Sequence, residues 1–375
     1  MKRLELTAVL LLCHLLSSPQ SPPCQPVTTT LARPDKYPYP TTSTGIKIFN
    51  AYPSRSLSNL LLEWEVTLNG SVVQKGKVPL LTIGPQHSGS ARLPIRVPTN
   101  PGEVFLNVYY RLKKPEPHLP AGSIVAMEQL RLREYASDLS IRATGELSFI
   151  DEGGTFTITS PATTLNIQFN KQTGWLQHYA MGSRLLVEDS LGLVTGLGQS
   201  SSQEPRLQLF STSTSTDMAV VKADYLIPET PLLLHARYTV NAKGEMQVEQ
   251  ILEVDTTQPR DTTTGQLVVK YPPLFGMNWI LPPGYDSALY YGAGSAIDSC
   301  HHTHVGLNRL RPDDIDIGMD IRWCKLTDGQ GHGLLITADS SLLHISVVHK
   351  QMNIAHPFIK GGADNYHYIY KVTPQ

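Results

Sequence analysis

Apolar and polar residues alternate along much of this chain, which is typical of β-strands with one buried face. In residues 62–68, leucine, tryptophan and valine alternate with glutamate and threonine. The Asn69-Gly70 pair that follows favours a two-residue hairpin turn, because both residue types tolerate positive φ. Residues 71–78 then supply a return strand. The pattern therefore predicts a β-hairpin early in the chain.

Similar short strands are predicted throughout the rest of the sequence. They fall at residues 91–97, 103–113, 126–132, 155–159, 165–169, 232–240 and 245–254. Turns at about ten-residue spacing predict an immunoglobulin-like β-sandwich over residues 46–135. Longer hairpins predict a large antiparallel β-sandwich over residues 146–375. The expected fold class is all-β, and the Ser/Thr-rich segment 199–217 is expected to be a low-complexity loop.

The N-terminal segment has the features of a signal peptide. A basic start at Lys2 and Arg3 precedes the apolar run Leu6–Leu16, which is too short to span a bilayer. Residues 1–25 are therefore a possible signal peptide, and the protein is expected to be secreted or extracellular. Otherwise this peptide has no targeting value, and the chain is part of a cytoplasmic complex. Residues 26–45, rich in proline and threonine, are expected to form an extended linker.

Composition narrows the classes of partner. The 375 residues include 31 basic and 32 acidic ones, so no strong charge imbalance points to nucleic acid or to a membrane surface as partner. The four cysteines are Cys13, Cys24, Cys300 and Cys324. Loss of a signal peptide containing Cys13 leaves an odd number, which defines no disulfide framework. Pairing of Cys300 with Cys324 stays an open alternative, and no cofactor is expected.

Two polar clusters are candidates for chemistry. Asp313, Asp314, Asp316 and Asp320 supply carboxylates of the type that a glycosidase needs in pairs, but the same composition is typical of a solvated loop. Residues 300–304 (Cys-His-His-Thr-His) contain soft metal ligands. However, the adjacent histidines 301 and 302 point in opposite directions in a strand, whereas Zn²⁺ needs convergent ligands. We therefore predict no catalytic residue and no metal site.

Aromatic side chains are the remaining binding candidates, because the apolar face of a pyranose stacks on such rings. The candidates are Trp279, Tyr290, Tyr291, Trp323 and Tyr366. Tryptophans within strands also serve as core residues, and for this set the core alternative is the more common one.

Several sequence blocks, taken in order, resemble the C-terminal third of the lacZ-type β-galactosidases of glycoside hydrolase family 2. The blocks are Leu31–Pro40, Leu62–Val66 with Asn69-Gly70, Gly102–Val108, Ala126–Gln129, Phe169–Leu176, Gly276–Trp279, Tyr290–Gly294, Val305–Leu307, Asp320–Trp323 and Gly333–Leu335. In that family a catalytic TIM barrel precedes an immunoglobulin-like domain and a large "small chain" sandwich of the galactose-mutarotase-like supersandwich type.

The resemblance implies a non-catalytic part of a β-galactosidase. The family's catalytic glutamates belong to the barrel, so the resemblance implies a TIM-barrel chain or domain as partner and a terminal β-D-galactoside as substrate. By the same resemblance, Tyr366 takes the place of a tryptophan that reaches the galactose site. Trp323 is the second substrate-binding candidate. Alone, the chain is expected to hydrolyse nothing at enzymatic rates.

Departures from the family pattern leave two further interpretations open. Residues 295–300 lack the glutamate and arginine of the family, and Ser/Thr repeats replace another family segment near residues 194–217. One alternative is a secreted module that binds carbohydrate or protein without hydrolysis. Another is an incomplete or decaying gene. If the chain is secreted, Asn69 in Asn69-Gly70-Ser71 is a predicted glycosylation site.

Overall fold

A computed structural model describes residues 25–32, 44–194, 205–228, 230–255, 274–297, 303–311, 321–339, 343–357 and 365–375. Across these ranges the regular backbone consists of β-strands and one short 3-10 helix, Leu57–Asn59. The all-β prediction is therefore confirmed. No helix in the described part of the chain has the length and apolarity needed to cross a bilayer.

The strands pair antiparallel and are numbered here in chain order. The first twelve are β1 Val27–Leu31, β2 Thr44–Asn50, β3 Leu60–Leu68, β4 Ser71–Val78, β5 Ser88–Leu93, β6 Val104–Leu112, β7 Ile124–Arg133, β8 Ser148–Glu152, β9 Thr155–Ser160, β10 Leu165–Asn170, β11 Leu176–Met181 and β12 Arg184–Val187. The others are β13 Asp189–Val194, β14 Arg206–Thr214, β15 Met218–Ile227, β16 Leu232–Asn241, β17 Met246–Val254, β18 Leu274–Ile280, β19 Ser287–Ile297, β20 Thr303–Leu310, β21 Ile321–Thr327, β22 Gly333–Ala338, β23 His344–Val348, β24 Gln351–Pro357 and β25 Asn365–Pro374.

The chain divides into two compact units. The first contains the described residues before Thr67 together with Val73–Val97 and Phe105–Leu130, and the second contains Thr67–Val72, Pro98–Val104 and Arg131–Gln375. The first unit holds the three-stranded sheet β1-β2-β5 and most of the four-stranded sheet β4-β3-β6-β7. In β3 the side chains of Leu62, Trp64 and Val66 are buried, as their alternation predicted.

The predicted hairpin turn is present between β3 and β4. Asn69 has φ 47° and Gly70 has φ 83°, so both central residues adopt the left-handed conformation that this turn requires. A side chain on Gly70 would also meet the Tyr291 ring and the Leu307 side chain. The turn therefore needs glycine for both its backbone conformation and its packing.

The second unit is organised around the nine-stranded sheet β14-β15-β16-β17-β25-β22-β21-β19-β20. Two smaller sheets, β12-β11-β10-β9-β8 and β13-β18-β24-β23, share a hydrophobic core with one of its faces, the inner face. The ring of Phe169 in the first smaller sheet lies 4.9 Å from that of Tyr238, and Phe275 in the second lies 5.0 Å from Tyr368. Such tilted aromatic pairs add to the free energy gained by burial alone.

Three segments differ from their predictions. Residues 206–214, placed within a low-complexity loop, form the edge strand β14, because Ser and Thr alternate there in register with β15. Residues 27–31, placed within the extended linker, form β1 and pair with β2. The strand predicted at residues 91–97 lies at Ser88–Leu93 instead. Low complexity and proline content describe only the composition of a segment. Whether the segment forms a strand depends also on the neighbouring strand with which it pairs.

A substitution at Gly276 tests how tightly β18 packs against β24. A methyl group on this residue would overlap the Ile354 carbonyl oxygen and the Ala355 backbone, neither of which can rotate away. Gly276→Ala is therefore expected to lower the free energy of unfolding by about 3 kcal/mol, measured by chemical denaturation. Gly306→Ala, in strand β20 with open space around the site, is the matched control. Equal stability of the two variants would contradict this packing.

Candidate functional site

The aromatic candidates fall into two groups in the structure. Trp279, Tyr290 and Tyr291 have at most 4% of their surface exposed, so the core alternative holds for all three. Trp323 and Tyr366 are only partly buried. These two remain the binding candidates among the five residues, and their role in substrate binding stays a prediction.

Trp323 and Tyr366 lie on opposite faces of the nine-stranded sheet. Tyr366 alternates in phase with the buried Tyr368 and Tyr370, which point to the inner face. Trp323 is level with Thr337 and Lys371, which point to the other face, called here the outer face. Five residues along β25 and two strand spacings separate the two aromatic positions by roughly 20 Å. They therefore do not form one binding site.

A β-bulge at Arg322 creates a deeply buried charged cluster in the second unit. Tyr291 pairs with Trp323 and Gly292 with Ile321, so Arg322 is the extra residue on β21. A bulge redirects the side chain of the extra residue. Here the Arg322 guanidinium reaches the carboxylate of Glu103 rather than an aliphatic neighbour.

The Glu103 carboxylate is fully enclosed by donors. Arg322 Nε donates to Oε2 and Nη2 to Oε1, both at 2.9 Å, and the Tyr291 hydroxyl donates to Oε2 at 2.8 Å. Glu103 has no exposed surface, and Arg322 has 2%. Burial, followed by the charge of Glu103, raises the pKa of Tyr291. A carboxylate so enclosed and paired stabilises the structure and is not accessible to a substrate.

Asn69 fixes the backbone of Glu103. The Asn69 side-chain oxygen accepts from the Glu103 N–H at 2.9 Å, and the Asn69 N–H donates to the Glu103 carbonyl, also at 2.9 Å. Gly102 leaves the space that the Asn69 amide occupies. The residue predicted as a glycosylation site therefore also positions the buried acid, and its glycosylation stays a prediction that depends on secretion.

Breaking this ion pair from one side is expected to be costly. Arg322→Met leaves the buried carboxylate with only the more distant, half-exposed Arg131, whose Nε lies 3.8 Å from Oε1, and should lower the free energy of unfolding by about 3 kcal/mol. Glu103→Gln should destabilise as well. The double variant Glu103→Gln/Arg322→Met removes both charges, so its loss should be smaller than the sum of the single losses by roughly 2 kcal/mol. Chemical denaturation of the wild type, the two single variants and the double variant gives the four free energies of unfolding of this double-mutant cycle. A loss in the double variant equal to the sum of the two single losses would contradict direct coupling of Glu103 and Arg322.

The outer face also carries an acid–histidine–acid cluster. Asp224 on β15 pairs across the sheet with His235 on β16, and its Oδ1 lies 2.8 Å from His235 Nδ1. Glu253 on β17 lies 3.3 Å from the other ring nitrogen. Burial opposes protonation, but the hydrogen bonds to Asp224 and Glu253 outweigh it, and the pKa of His235 is raised. The imidazole fills the space between the two carboxylates.

A second polar group lies beside it on the same face. Glu249 accepts from His367 Nε2 at 2.7 Å and lies 3.7 Å from Arg237. Neither group was predicted from the sequence, because the members of each group lie on separate strands. The polar residues at alternate positions of β15, β16 and β17 are visible in the sequence. Only the register in which these strands pair shows which of those residues come into contact.

His235 should titrate above the range of an ordinary histidine. Because its folded-state pKa is raised, its stabilising contribution is complete below the unfolded pKa near 6.5 and is lost as pH rises through the folded value. Asp224→Asn should shift this titration downward in imidazole NMR. Asp151→Asn, a carboxylate on β8 that pairs with Lys171, should leave it unchanged. A wild-type pKa at or below 6.5 would contradict the cluster.

Most of the other polar candidates lie in parts of the chain that the structure does not describe. Cys300, His301, His302 and the aspartates from Asp313 to Asp320 lie outside the described residues. Cys324 is a fully buried free thiol, and burial raises its pKa to about 12. Among the described residues, no three His, Cys, Asp or Glu side chains are grouped so that they hold a metal ion.

Two family models match the chain in sequence order. The model described as β-galactosidase, domain 4, matches residues 46–133, and the model described as β-galactosidase small chain matches residues 162–357. The second match alone covers more than half of the chain. It includes all of the strands that form the inner-face core except β8, β9 and β25.

Individual relatives agree with these models. A β-galactosidase of Priestia megaterium is 25% identical over 306 residues, which are 73% of this chain and 28% of that protein. β-Galactosidase 2 of Enterobacter cloacae is 38% identical over 87 residues, which are 22% of this chain and 8% of that protein. The chain thus spans less than a third of the length of these relatives. Among solved structures, a galactose 1-epimerase from Lactobacillus acidophilus aligns with 62% of this chain and 99% of that one, at 10% identity and a TM-score of 0.33.

Proposed function

The chain belongs to the β-galactosidase small-chain family, and from this premise we propose that it is the non-catalytic C-terminal portion of a β-galactosidase. The match over residues 162–357 is the observation that carries the proposal. The match of residues 46–133 to domain 4 supports it, because the two regions follow each other as in one enzyme. In this proposal a TIM-barrel chain or domain provides the catalytic carboxylates for hydrolysis of terminal β-D-galactosides.

The environments of Glu103, Asp224 and Glu253 agree with a supporting role. Glycoside hydrolysis needs two carboxyl groups on either side of a sugar ring, with space for the substrate between them. Glu103 is enclosed by Arg322 and Tyr291. Asp224 and Glu253 have an imidazole between them. In each case a protein group occupies the place that a substrate needs.

The contribution of this chain to the assembled enzyme is then docking and substrate contact. We assign the contact to Tyr366, which is partly buried at the start of β25, across from Leu252 on β17. Its ring presents an apolar surface and a hydroxyl, which suit one face and one hydroxyl group of a sugar. Trp323 lies on the outer face and, at roughly 20 Å from Tyr366, does not share that contact.

Complementation tests the proposal. The P. megaterium β-galactosidase without the region that matches this chain is mixed with the purified full chain, and hydrolysis of a chromogenic galactoside is measured. Activity well above that of the truncated enzyme alone is expected, because the missing sandwich is restored. Heat-denatured chain is the control. Activity no higher than that of the truncated enzyme, at concentrations at which the two proteins co-elute, would contradict the proposal.

The role of Tyr366 has a separate readout. Tyr366→Ala should raise the KM of the complemented enzyme about tenfold, whereas Tyr366→Phe, which retains the ring, should raise it less. Tyr109→Ala, a partly buried tyrosine of the first unit, is the matched control. Unchanged KM in Tyr366→Ala with full complementation would remove this residue from the site without affecting the docking proposal.

A further inference from the structure

One flank of the first unit presents two strand edges side by side. β4 is the last strand of its four-stranded sheet, and β5 is the last strand of its three-stranded sheet. The Gln74 side chain connects them, since its amide donates to the Arg96 carbonyl and its oxygen accepts from the Arg96 N–H at 3.0 Å. A strand edge with unpaired N–H and C=O groups is a template for an additional strand.

A preformed groove of about 670 Å³ lies along β5. The segment that connects β4 to β5 forms one wall, and Leu80 in this wall has 66% of its surface exposed. The buried Asn50 holds this wall in place, because its side-chain amide donates to the Ile83 carbonyl at 3.2 Å and to the Gly84 carbonyl at 2.8 Å. The groove therefore needs no ordering of its wall when a ligand enters.

The flank is positively charged although the whole chain is nearly neutral. Residues 66–102 contain no aspartate or glutamate, whereas the chain as a whole has a formal net charge of −1. Lys77 forms an ion pair with Glu63 at 2.8 Å. Lys75, Arg92 and Arg96 are exposed, and the described structure shows no ion pair for any of them. Three exposed cations on these two neighbouring strand edges and the residues after them attract an anionic partner.

Apolar positions occur between these charges. Val73 on β4 has 45% of its surface exposed, and Leu80 has more. Val73 and Lys75 are two residues apart on β4, so they lie on the same face of the strand, and the side chains on one face of an added strand meet both an apolar and a cationic position. A polyanion without a peptide backbone satisfies the cations only. The combination of strand edge, groove and charge fits an extended polypeptide with acidic residues at alternate positions.

We propose that this cationic edge, formed by β4, β5, Leu80, Lys75, Arg92 and Arg96, binds an extended acidic segment of a partner polypeptide as an added β-strand. Main-chain hydrogen bonds to the strand edge supply the pairing, and the cations select an acidic sequence. This interaction lies outside the proposed contribution to galactoside hydrolysis and does not depend on it.

A synthetic peptide provides the test. A fluorescent, end-capped peptide of alternating Glu and Val, six residues long to match β5, is titrated with the full chain and followed by anisotropy. Saturable binding that weakens with added salt is expected. Arg92→Glu should weaken it roughly tenfold or more through charge repulsion. Lys114→Glu, an exposed cation of the same unit away from this edge, should leave it unchanged.

Three further probes separate strand addition from simple charge attraction. The same peptide with alternate backbone amides N-methylated should not bind, because it cannot pair with a strand edge. A Lys/Val peptide should not bind either. Equal binding of the N-methylated peptide, an equal effect of Lys114→Glu, or binding of heparin alone would overturn the proposal. The absence of saturable binding of the Glu/Val peptide up to about 1 mM would overturn it as well.

Discussion

The second unit depends on covering the inner face of its nine-stranded sheet. A β-strand sends successive side chains to opposite faces, so a sheet of this width generates one broad apolar surface that must be removed from water. Two smaller sheets do this, and Phe169, Phe275 and Trp279 from them pack against Tyr238, Tyr368 and Tyr370. The outer face, free of that requirement, carries Asp224, His235, Glu249 and Glu253 as paired charges.

The bulge at Arg322 is the place where this alternation is broken. An extra residue on β21 brings the guanidinium to Glu103, and burial of both charges costs several kcal/mol of desolvation free energy that their mutual attraction has to offset. An aliphatic pair of the same volume would avoid that cost. The ion pair therefore contributes specificity: only one register of β19 against β21 brings Arg322, Tyr291 and Glu103 together. Asn69 extends the constraint to the hairpin turn.

Local patterns were sufficient to predict much of the fold. The hairpin at Asn69-Gly70 and the phase of β3, β10, β16 and β17 follow from alternation and turn chemistry within short windows. The Glu103–Arg322 contact joins residues 219 positions apart, and no local pattern indicates it. Its bulge depends on pairing with β19. The strand β14 was missed because Ser/Thr composition resembles a loop until β15 provides its partner.

The residues of the candidate site show the same contrast between what local sequence patterns indicate and what long-range strand pairing determines. Core aromatics and surface aromatics have the same sequence signal, and only burial separates Trp279 from Trp323. Asp224, His235 and Glu253 are three unremarkable polar residues in their own strands, and their geometry depends on two separate strand registers. A titratable cluster on a sheet is thus a property of pairing more than of sequence.

Burial also determines what each acidic residue is able to do. A general acid needs a carboxyl group that changes protonation at working pH and touches the substrate. Glu103 does not meet the second requirement, since Arg322 and Tyr291 occupy its oxygens. Asp224 and Glu253 are partly exposed, yet the imidazole of His235 lies between them, and its hydrogen bonds to them raise the pKa of His235. The strong interactions of Glu103, Asp224 and Glu253 therefore stabilise the sandwich.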